Sequence, residues 1–541
     1  MTEATVFDAF RAAADAAPGN IFLCVPEGAS GSAGGRAGEW RYGEIGERVL
    51  DLRARYRRAG YGHGHRVALL LGMRPDFFVH YLALNGLGCA IVPVNPDYRH
   101  DELRYLVEHS EAALVVAQPD RVADLEAVAH ELTRPLPVID AEALPDRLPA
   151  PAGPAPVEGP AGSATEAGLL YTSGTTGRPK GCVLSNFYYL TAGAWYRDLG
   201  GRLELRTERE RFYNPLPLHH MNHQAITVTC AILTRNCLIL PGRFSPARWW
   251  PEIAQCEATA VHYLGVVPPL LLNQPPSPEE RRHRVRFGLG AGVEPQLHAA
   301  FEVRFGFPLV EVWGMTETGR ILTDNHEPRR VETRAFGRPF GDLDARVVDG
   351  QDREAPRGTP GELVVRAGGA DPRRGFFSGY LKNPEATEES WRGGWFHTGD
   401  VAWQGDDDML YFVDRMKNII RRAGENIAAA EVEACIQAHE AVAQVAVLAA
   451  PDETREEEVL ACIVPMPGVG AAPALAGAIL DWCLERLAYY KAPGWIVFVK
   501  QLPMTGTQKI QKMQIFATGE DPRKHPGALD LRKRKRRRAS S

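Results

Sequence analysis

The sequence predicts an α/β fold in two parts: a large N-terminal domain of several subdomains with helix-covered sheets, and a small α+β domain after it. Three observations carry this reading. The chain has 541 residues, more than one hydrophobic core supports, since single cores stop growing at roughly 250–300 residues. Its first part alternates helical periodicity with short apolar runs, the rhythm of a largely parallel sheet. After Asp414-Arg415-Met416-Lys417 the alternation begins again and continues to Lys500, a length that suffices for a small domain.

The elements follow in order. Residues 42–57 read as a helix, 66–71 as a strand and 75–87 as a helix. Residues 89–94 then read as a strand, 101–108 as a helix and 113–117 as a strand. The run of Pro, Ala and Gly over 147–163 is an exposed connector. An apolar run, Ala167 to Tyr171, feeds directly into Thr172-Ser173-Gly174-Thr175-Thr176-Gly177-Arg178-Pro179-Lys180-Gly181. A strand entering that loop places it at a sheet edge, where ligands of α/β folds sit. In the second part a helix is expected over 429–439 and strands over 442–449 and 459–465. A helix over 474–487 and a strand over 495–500 complete it. The expected boundaries are 1–414, 415–518 and a basic tail, 519–541.

Charge and composition narrow the classes. Hydrophobic residues make up 45% and charged ones 24%, ordinary for a globular protein. No apolar run is long enough to span a bilayer, and the N-terminus lacks a basic segment followed by an apolar stretch. Nine scattered cysteines without a C-x-x-C pair fit reduced thiols, so a cytoplasmic location is expected. Residues 532–538 are all basic; without those seven, 55 basic residues face 67 acidic ones, a balance of −12. An acidic body is a poor polyanion binder, and no nucleic-acid partner is expected. The tail reads as a disordered, solvated extension; contact with nucleic acid or anionic lipid is the other reading of such a run.

The loop at 172–181 is built to close over phosphates. Its glycines allow the backbone to approach an anion, Ser173, Thr175 and Thr176 add short donors, and Lys180 adds a mobile charge. It is not a Walker A motif, because Arg178 and Pro179 separate Gly177 from Lys180. Further along stand Pro215-Leu216-Pro217-Leu218-His219-His220-Met221-Asn222 and Trp313-Gly314-Met315-Thr316-Glu317-Thr318. Gly394-Trp395-Phe396-His397-Thr398-Gly399-Asp400 follows, then Asp414-Arg415 through Gly424-Glu425-Asn426, and finally Thr505-Gly506-Thr507-Gln508-Lys509. In this order the motifs resemble the adenylate-forming superfamily of acyl-CoA synthetases, adenylation domains and luciferases, from near residue 10 to about 515. Arg422-Ala423-Gly424-Glu425-Asn426 and the Thr-x-Thr-Gln-Lys ending are most similar to acyl-CoA ligases of the crotonobetaine/carnitine-CoA ligase type.

The resemblance implies an ATP-dependent carboxylate–CoA ligase that uses ATP, Mg²⁺ and CoA on a small-molecule carboxylic acid. It forms acyl-AMP and pyrophosphate, then transfers the acyl group to CoA with release of AMP. Its implied site residues are as follows. Thr172, Ser173, Gly174, Thr175, Thr176, Gly177 and Lys180 hold the ATP phosphates. Gly292, Trp313, Gly314 and Met315 hold the adenylate, with Trp313 where the family places an aromatic against adenine. Asp400 takes the ribose, with Arg415 as a second contact. Thr316 donates to the α-phosphate, Glu317 holds Mg²⁺, and Lys509 reaches the α-phosphate and carboxylate. His220, Asn222 and Gly290 line the acyl side, the register at His219–His220 being open by one residue. Lys417 is the hinge on which the small domain rotates between half-reactions, and Arg421, Ala423 and Gly424 lie near CoA. Ala423 departs from the glycine common in the family, and Gln508 stands where many members carry glycine. Arg320 is a candidate for a second substrate carboxylate. A homodimer is compatible with the resemblance. The alternatives are a stand-alone enzyme loading a carrier-protein phosphopantetheine, a luciferase-like oxygenase and a catalytically inactive nucleotide-binding homologue. Intact Lys180, Glu317, Asp400, Arg415 and Lys509 weigh against the last.

Overall fold

The computed structural model describes residues 4–29, 37–172, 179–265, 267–293, 295–415, 419–503, 512, 515–517 and 520–535. These fall into two compact units. The larger takes residues up to 96, 107–171 and 181–414; the smaller takes 97–106, 172–180 and everything from Arg415 onward.

Three sheets build the large unit. One has seven strands, in the order Gly379–Tyr380, Lys180–Ser185, Glu166–Thr172, Ala90–Pro93, Arg66–Leu70, Leu114–Ala117 and Val138–Asp140. Arg66–Leu70 pairs in parallel with both Ala90–Pro93 and Leu114–Ala117. Its residues Val67, Ala68, Leu69 and Leu70 are fully buried. That continuous apolar run is what a strand covered on both faces requires. Helices Tyr42–Ala59 and Pro75–Asn85 alternate with these strands, as the sequence pattern predicts. Tyr42–Ala59 stops at Gly60, whose φ of 99° gives the left-handed cap.

An eight-stranded sheet runs Ile321–Thr323, Leu309–Gly314, Phe287–Ala291, Ala260–Leu264, Arg211–Tyr213, Cys237–Ile239, Ile21–Val25 and Gly38–Arg41. Its central strands are parallel. The third sheet is antiparallel and five-stranded: Ala335–Gly337, Leu410–Arg415, Phe396–Gln404, Gly361–Ala367 and Leu343–Val348. In Phe396–Gln404 buried and half-buried residues alternate strictly, the period-two signature of a one-sided sheet.

The small unit has its own apolar core, centred on Ile420, Ile427, Val432, Ile436, Val459, Ile463, Ile479 and Leu480. Helices Ala429–Gln437 and Pro473–Arg486 accompany a sheet ordered Glu425–Ala428, Ile419–Arg422, Glu456–Pro465, Trp495–Phe498 and Ala528–Asp530, with Val442–Asp452 also on Glu456–Pro465. The last strand corrects the expectation of a disordered tail. Ala528–Asp530 pairs antiparallel with Trp495–Phe498, and Leu531 is buried in the small unit's core. A few apolar residues in register with an open sheet edge outweigh the basic composition around them. No helix among the described residues is long and apolar enough to cross a membrane.

Candidate active site

In the large unit the Trp313–Glu317 motif lies at the C-terminal end of a strand, where chain direction changes and backbone is exposed. Leu309–Gly314 emerges into a tight turn in which Thr318 donates its N–H and hydroxyl to the Met315 carbonyl, at 3.1 and 2.9 Å. Gly314 is exposed, while Met315 and Thr316 are half-buried. Glu317 is held inward at 5% exposure. The Tyr380 hydroxyl donates to Glu317 Oε1 at 2.9 Å, and the Phe377 N–H bonds its carbonyl at 2.9 Å. The Tyr188 hydroxyl donates to the Thr316 carbonyl at 2.7 Å. Three hydrogen bonds from well-packed partners thus fix the Thr316-Glu317 pair.

Trp313 and Asp400 come from different sheets and meet. The indole Nε1 donates to Asp400 Oδ2 at 2.9 Å, and both residues are buried. The Trp313 ring lies against Phe336, with centroids 6.1 Å apart. Asp400 is set by its own strand: the Thr398 hydroxyl accepts from the Asp400 N–H at 3.1 Å and donates to the Leu363 carbonyl at 2.6 Å. Glu362 accepts from the Gly399 N–H at 3.0 Å and bonds His397 at 2.8 Å.

Gly290 and Gly292 serve different needs. On strand Phe287–Ala291, Gly290 faces Tyr263 so closely that any Cβ would overlap the Tyr263 carbonyl. Interstrand packing alone requires that glycine. Gly292 is exposed, has a φ of 86°, and donates its N–H to Glu311 Oε2 at 2.9 Å. Glu311, which sequence reasoning missed, also accepts from the Val293 N–H at 3.4 Å and the Tyr263 hydroxyl at 2.5 Å. Burial pushes its carboxyl up to about 7 despite these donors. A glutamate two residues before Trp313 carries no sequence signal of that environment.

In the motif expected to line the acyl side, the rings of His219 and His220 lie 4.4 Å apart, and both are half-buried. Asn222 opens a π-helical segment, Asn222–Thr227, a wide turn found mostly at functional sites. Its Oδ1 accepts from Asn214 Nδ2 at 3.1 Å and lies 2.9 Å from His262 Nδ1, and His262 Nε2 in turn lies 3.2 Å from the Tyr196 hydroxyl. His262 is fully buried, and its burial lowers its pKa to about 3. His223 is held by the Leu216 carbonyl at 2.6 Å and lowered to about 4 by burial. The Tyr189 hydroxyl donates to Gln224 Oε1 at 2.5 Å. Of these polar residues, the sequence pointed to Asn222 and the histidine pair but not to His262, Tyr196 or Gln224.

Arg320 does not serve a second carboxylate. Its side chain is 1% exposed and binds Asp342 at 3.0 Å through Nε and 3.1 Å through Nη2. It also donates to the Arg374 carbonyl at 3.0 Å and lies over the Trp195 and Phe376 rings.

In the small unit, Ile419–Arg422 and Glu425–Ala428 form a hairpin in which Arg422 pairs with Glu425 across a two-residue loop. Ala423 and Gly424 fill that loop with φ values of 50° and 84°, the double left-handed conformation of a type I′ turn. The Arg421 N–H donates to Glu457 Oε2 at 2.6 Å. Thr172 ends strand Glu166–Thr172 and Lys180 begins Lys180–Ser185, both half-buried. Ser173, Gly174, Thr175, Thr176, Gly177, Lys417 and Lys509 lie outside the described residues, and Arg415 is described in its backbone alone.

Comparison with known proteins gives the family. The family model for AMP-binding enzymes matches residues 10–381, and that for the AMP-binding enzyme C-terminal domain matches residues 431–509. A crotonobetaine/carnitine–CoA ligase of Proteus mirabilis is 29% identical over 501 residues, covering 90% of this chain and 94% of that protein. A sulfoacetate–CoA ligase of Cupriavidus necator is 30% identical over 528 residues, covering 95% and 99%. Among solved structures, an o-succinylbenzoate CoA synthetase double mutant from Bacillus subtilis, bound with a product analogue, superposes with a TM-score of 0.80. It is 23% identical and covers 94% of this chain and 97% of its own, a likeness of fold.

Proposed function

The chain belongs to the family of AMP-binding enzymes, and on that footing we propose that it is an ATP-dependent carboxylate–CoA ligase whose acid is small to medium and polar. The observation that carries the reading is the bond between Trp313, at the strand end that leads into Glu317, and Asp400 from another sheet.

In the first half-reaction a carboxylate oxygen of the acid bonds to the α-phosphorus of ATP, and the bond from that phosphorus to pyrophosphate breaks. A bare carboxylate is a poor acyl donor because its leaving group would be oxide; as acyl-AMP it leaves as a phosphate monoester. In the second half-reaction the CoA sulfur bonds to the acyl carbon and the bond to AMP breaks, the thiol proton passing to solvent. Bringing two anions together needs positive charge in a site shielded from water. Lys180 and the hydroxyl-rich loop of Thr172, Ser173, Thr175 and Thr176 supply it at the phosphates, and Lys509 at the α-phosphate and carboxylate. Asp400, kept in place by the Trp313 indole, accepts the ribose hydroxyls. Thr316 presents its donor to the α-phosphate from a turn whose backbone is tied to Tyr188.

The site fits a magnesium ion in the chemistry of its donor: Glu317 is a carboxylate oriented by Tyr380, the hard oxygen ligand Mg²⁺ takes alongside nucleotide phosphates. When bound, the ion neutralises phosphate charge. The polar chain of Asn222, His262 and Tyr196 supports a polar acid, and the hairpin of Arg421, Ala423 and Gly424 is the segment we assign to CoA. All nine cysteines are free and eight are buried, which supports a reducing, cytoplasmic setting.

The test is isotopic. An acid labelled with oxygen-18 in its carboxylate should deliver label to the released AMP, with pyrophosphate formed in equal amount and acyl-CoA accumulating when CoA is supplied. Crotonobetaine, sulfoacetate, malonate, benzoate and octanoate form the first panel. Thioester formation without label in AMP would overturn the reading.

A further inference from the structure

The basic run at the C-terminus looks, as a sequence, like a surface for polyanions. In the small unit Lys533 and Arg534 are exposed, while Arg532 is half-buried and Lys535 is buried. Arg532 binds Asp452 at 2.9 Å and Asp530 at 2.8 Å and lies over the Trp495 ring. Arg534 binds Asp481 at 2.9 Å. Lys535 goes further: its side chain is fully buried, and its Nζ donates to Glu458 Oε1 at 2.5 Å and to the Tyr490 carbonyl at 3.1 Å.

Glu458 is equally buried and carries a second cation. Arg422 Nε reaches its Oε2 at 2.9 Å and Oε1 at 3.0 Å, with the Arg422 side chain 5% exposed. Arg422 is the last strand residue before the Ala423-Gly424 turn, so whatever fixes its guanidinium fixes one shoulder of that turn. A single buried carboxylate thus couples the end of the tail to the hairpin. Removing one partner of a buried ionic group leaves charge uncompensated in low dielectric, which costs more than an exposed pair would. The strand Ala528–Asp530 and the bond from the Leu531 N–H to the Gly494 carbonyl at 2.8 Å carry the tail to this point. Burial and the neighbouring Arg422 depress Lys535 to about 7, Glu458 opposing them, a sign of how completely the ammonium is enclosed.

We propose that Lys535 is a positioning residue for the thioester-forming half-reaction, acting through Glu458 and Arg422 to hold the Ala423-Gly424 turn in its CoA-competent shape. The inference rests on the assignment of that turn to CoA made above.

Full-length Lys535→Met and Lys535→Gln variants test it, read in two ways. Hydrogen exchange should accelerate at least about fivefold at the amides of residues 420–428, relative to the helix Pro473–Arg486. With the best acid of the panel, KM for CoA should rise about five- to twentyfold while ATP–pyrophosphate exchange stays within twofold. A chain ending at Lys535 should match the full chain in both. Unchanged exchange at the hairpin overturns the proposal. So does equal loss of both half-reactions, a fall in melting temperature with KM for CoA unaltered, failure of both variants to fold, or a defect in the chain ending at Lys535. If the unmodified enzyme forms acyl-AMP but never transfers it to CoA, the CoA assignment fails instead, while the exchange experiment still decides whether the tail holds the hairpin.

Discussion

The Met315–Thr318 turn of the large unit and the hairpin of the small one are held by different kinds of bond. Around Thr316, Glu317 and Asp400 the bonds described above come from neutral donors: the hydroxyls of Tyr188 and Tyr380, the indole of Trp313 and a backbone N–H. Around Arg422 they are ions, a carboxylate between a guanidinium and an ammonium. The difference follows from what each place must bind. On the roles proposed above, a carboxylate for a metal ion or a ribose has to keep its charge for the ligand, and neutral donors orient it without cancelling that charge. A turn that works through its backbone has no such constraint, and ion pairs can lock it.

The largest effect expected from this contrast is at Glu317. Replacing it with alanine should lower ATP–pyrophosphate exchange about 10²–10³-fold. Tyr380→Phe, which removes the orienting hydroxyl and keeps the ligand charge, should cost closer to tenfold. Magnesium titrations of exchange should show the Tyr380 variant recovering at high Mg²⁺ and the Glu317 variant not. Equal behaviour of the two would break the distinction between ligand and orienting donor.

A second effect, intermediate in size, is expected at Trp313. Phenylalanine keeps the aromatic face but deletes the indole donor to buried Asp400, at a cost of about 1–3 kcal/mol in stability. KM for ATP should rise severalfold, with KM for CoA unmoved. Chemical denaturation and initial-rate kinetics read both. A variant that loses stability but binds ATP normally would make Trp313 a core residue only.

How much of this was legible in the sequence differs between the two regions. The parallel sheet showed in the alternation of helix and apolar run, because strands covered on both faces must be apolar throughout. The antiparallel sheet over 335–415 did not show as separate strands, since short strands with one wet face resemble loops in composition. Trp313, Glu317 and Asp400 stood in recognisable motifs. Tyr380, Glu311 and His262 did not, because orienting residues are chosen by three-dimensional proximity and carry no local pattern. The tail was misread for a related reason: seven consecutive basic residues signal solvent exposure only when no acidic partners face them. Asp452, Asp481 and Glu458, which pair with Arg532, Arg534 and Lys535, lie 53 to 80 residues earlier in the chain.

A pH experiment sharpens the large-unit side. Glu311 is an acid raised from its ordinary range to about 7 by burial, so the folded state favours its protonated form. That preference is fully present below the unfolded value of about 4.3 and is lost as pH rises through about 7. The unmodified protein should therefore lose about 2–3 kcal/mol relative to Glu311→Gln between pH 5 and 8. Parallel denaturation curves at several pH values measure the difference. A constant gap across that range would show that the Gly292, Val293 and Tyr263 donors already hold the carboxylate charged.

The smallest expected effect belongs to the hairpin and tests how rigid its ionic frame is. Ala423 occupies a left-handed position with φ of 50°, which costs an L-residue roughly 1–2 kcal/mol. Glycine there avoids the strain but adds freedom to the unfolded chain, worth about 0.5–1 kcal/mol in the other direction. The net expectation for Ala423→Gly is a gain of a few tenths to about 1 kcal/mol in the small unit. Hydrogen exchange across residues 420–428 gives the local value directly. If exchange slows, the alanine is strained and the clasp of Arg422, Glu458 and Lys535 is what keeps it in place. Faster exchange would mean that the methyl group is itself part of the packing, and that the turn owes less to its ionic neighbours than the contrast with the Met315–Thr318 turn requires.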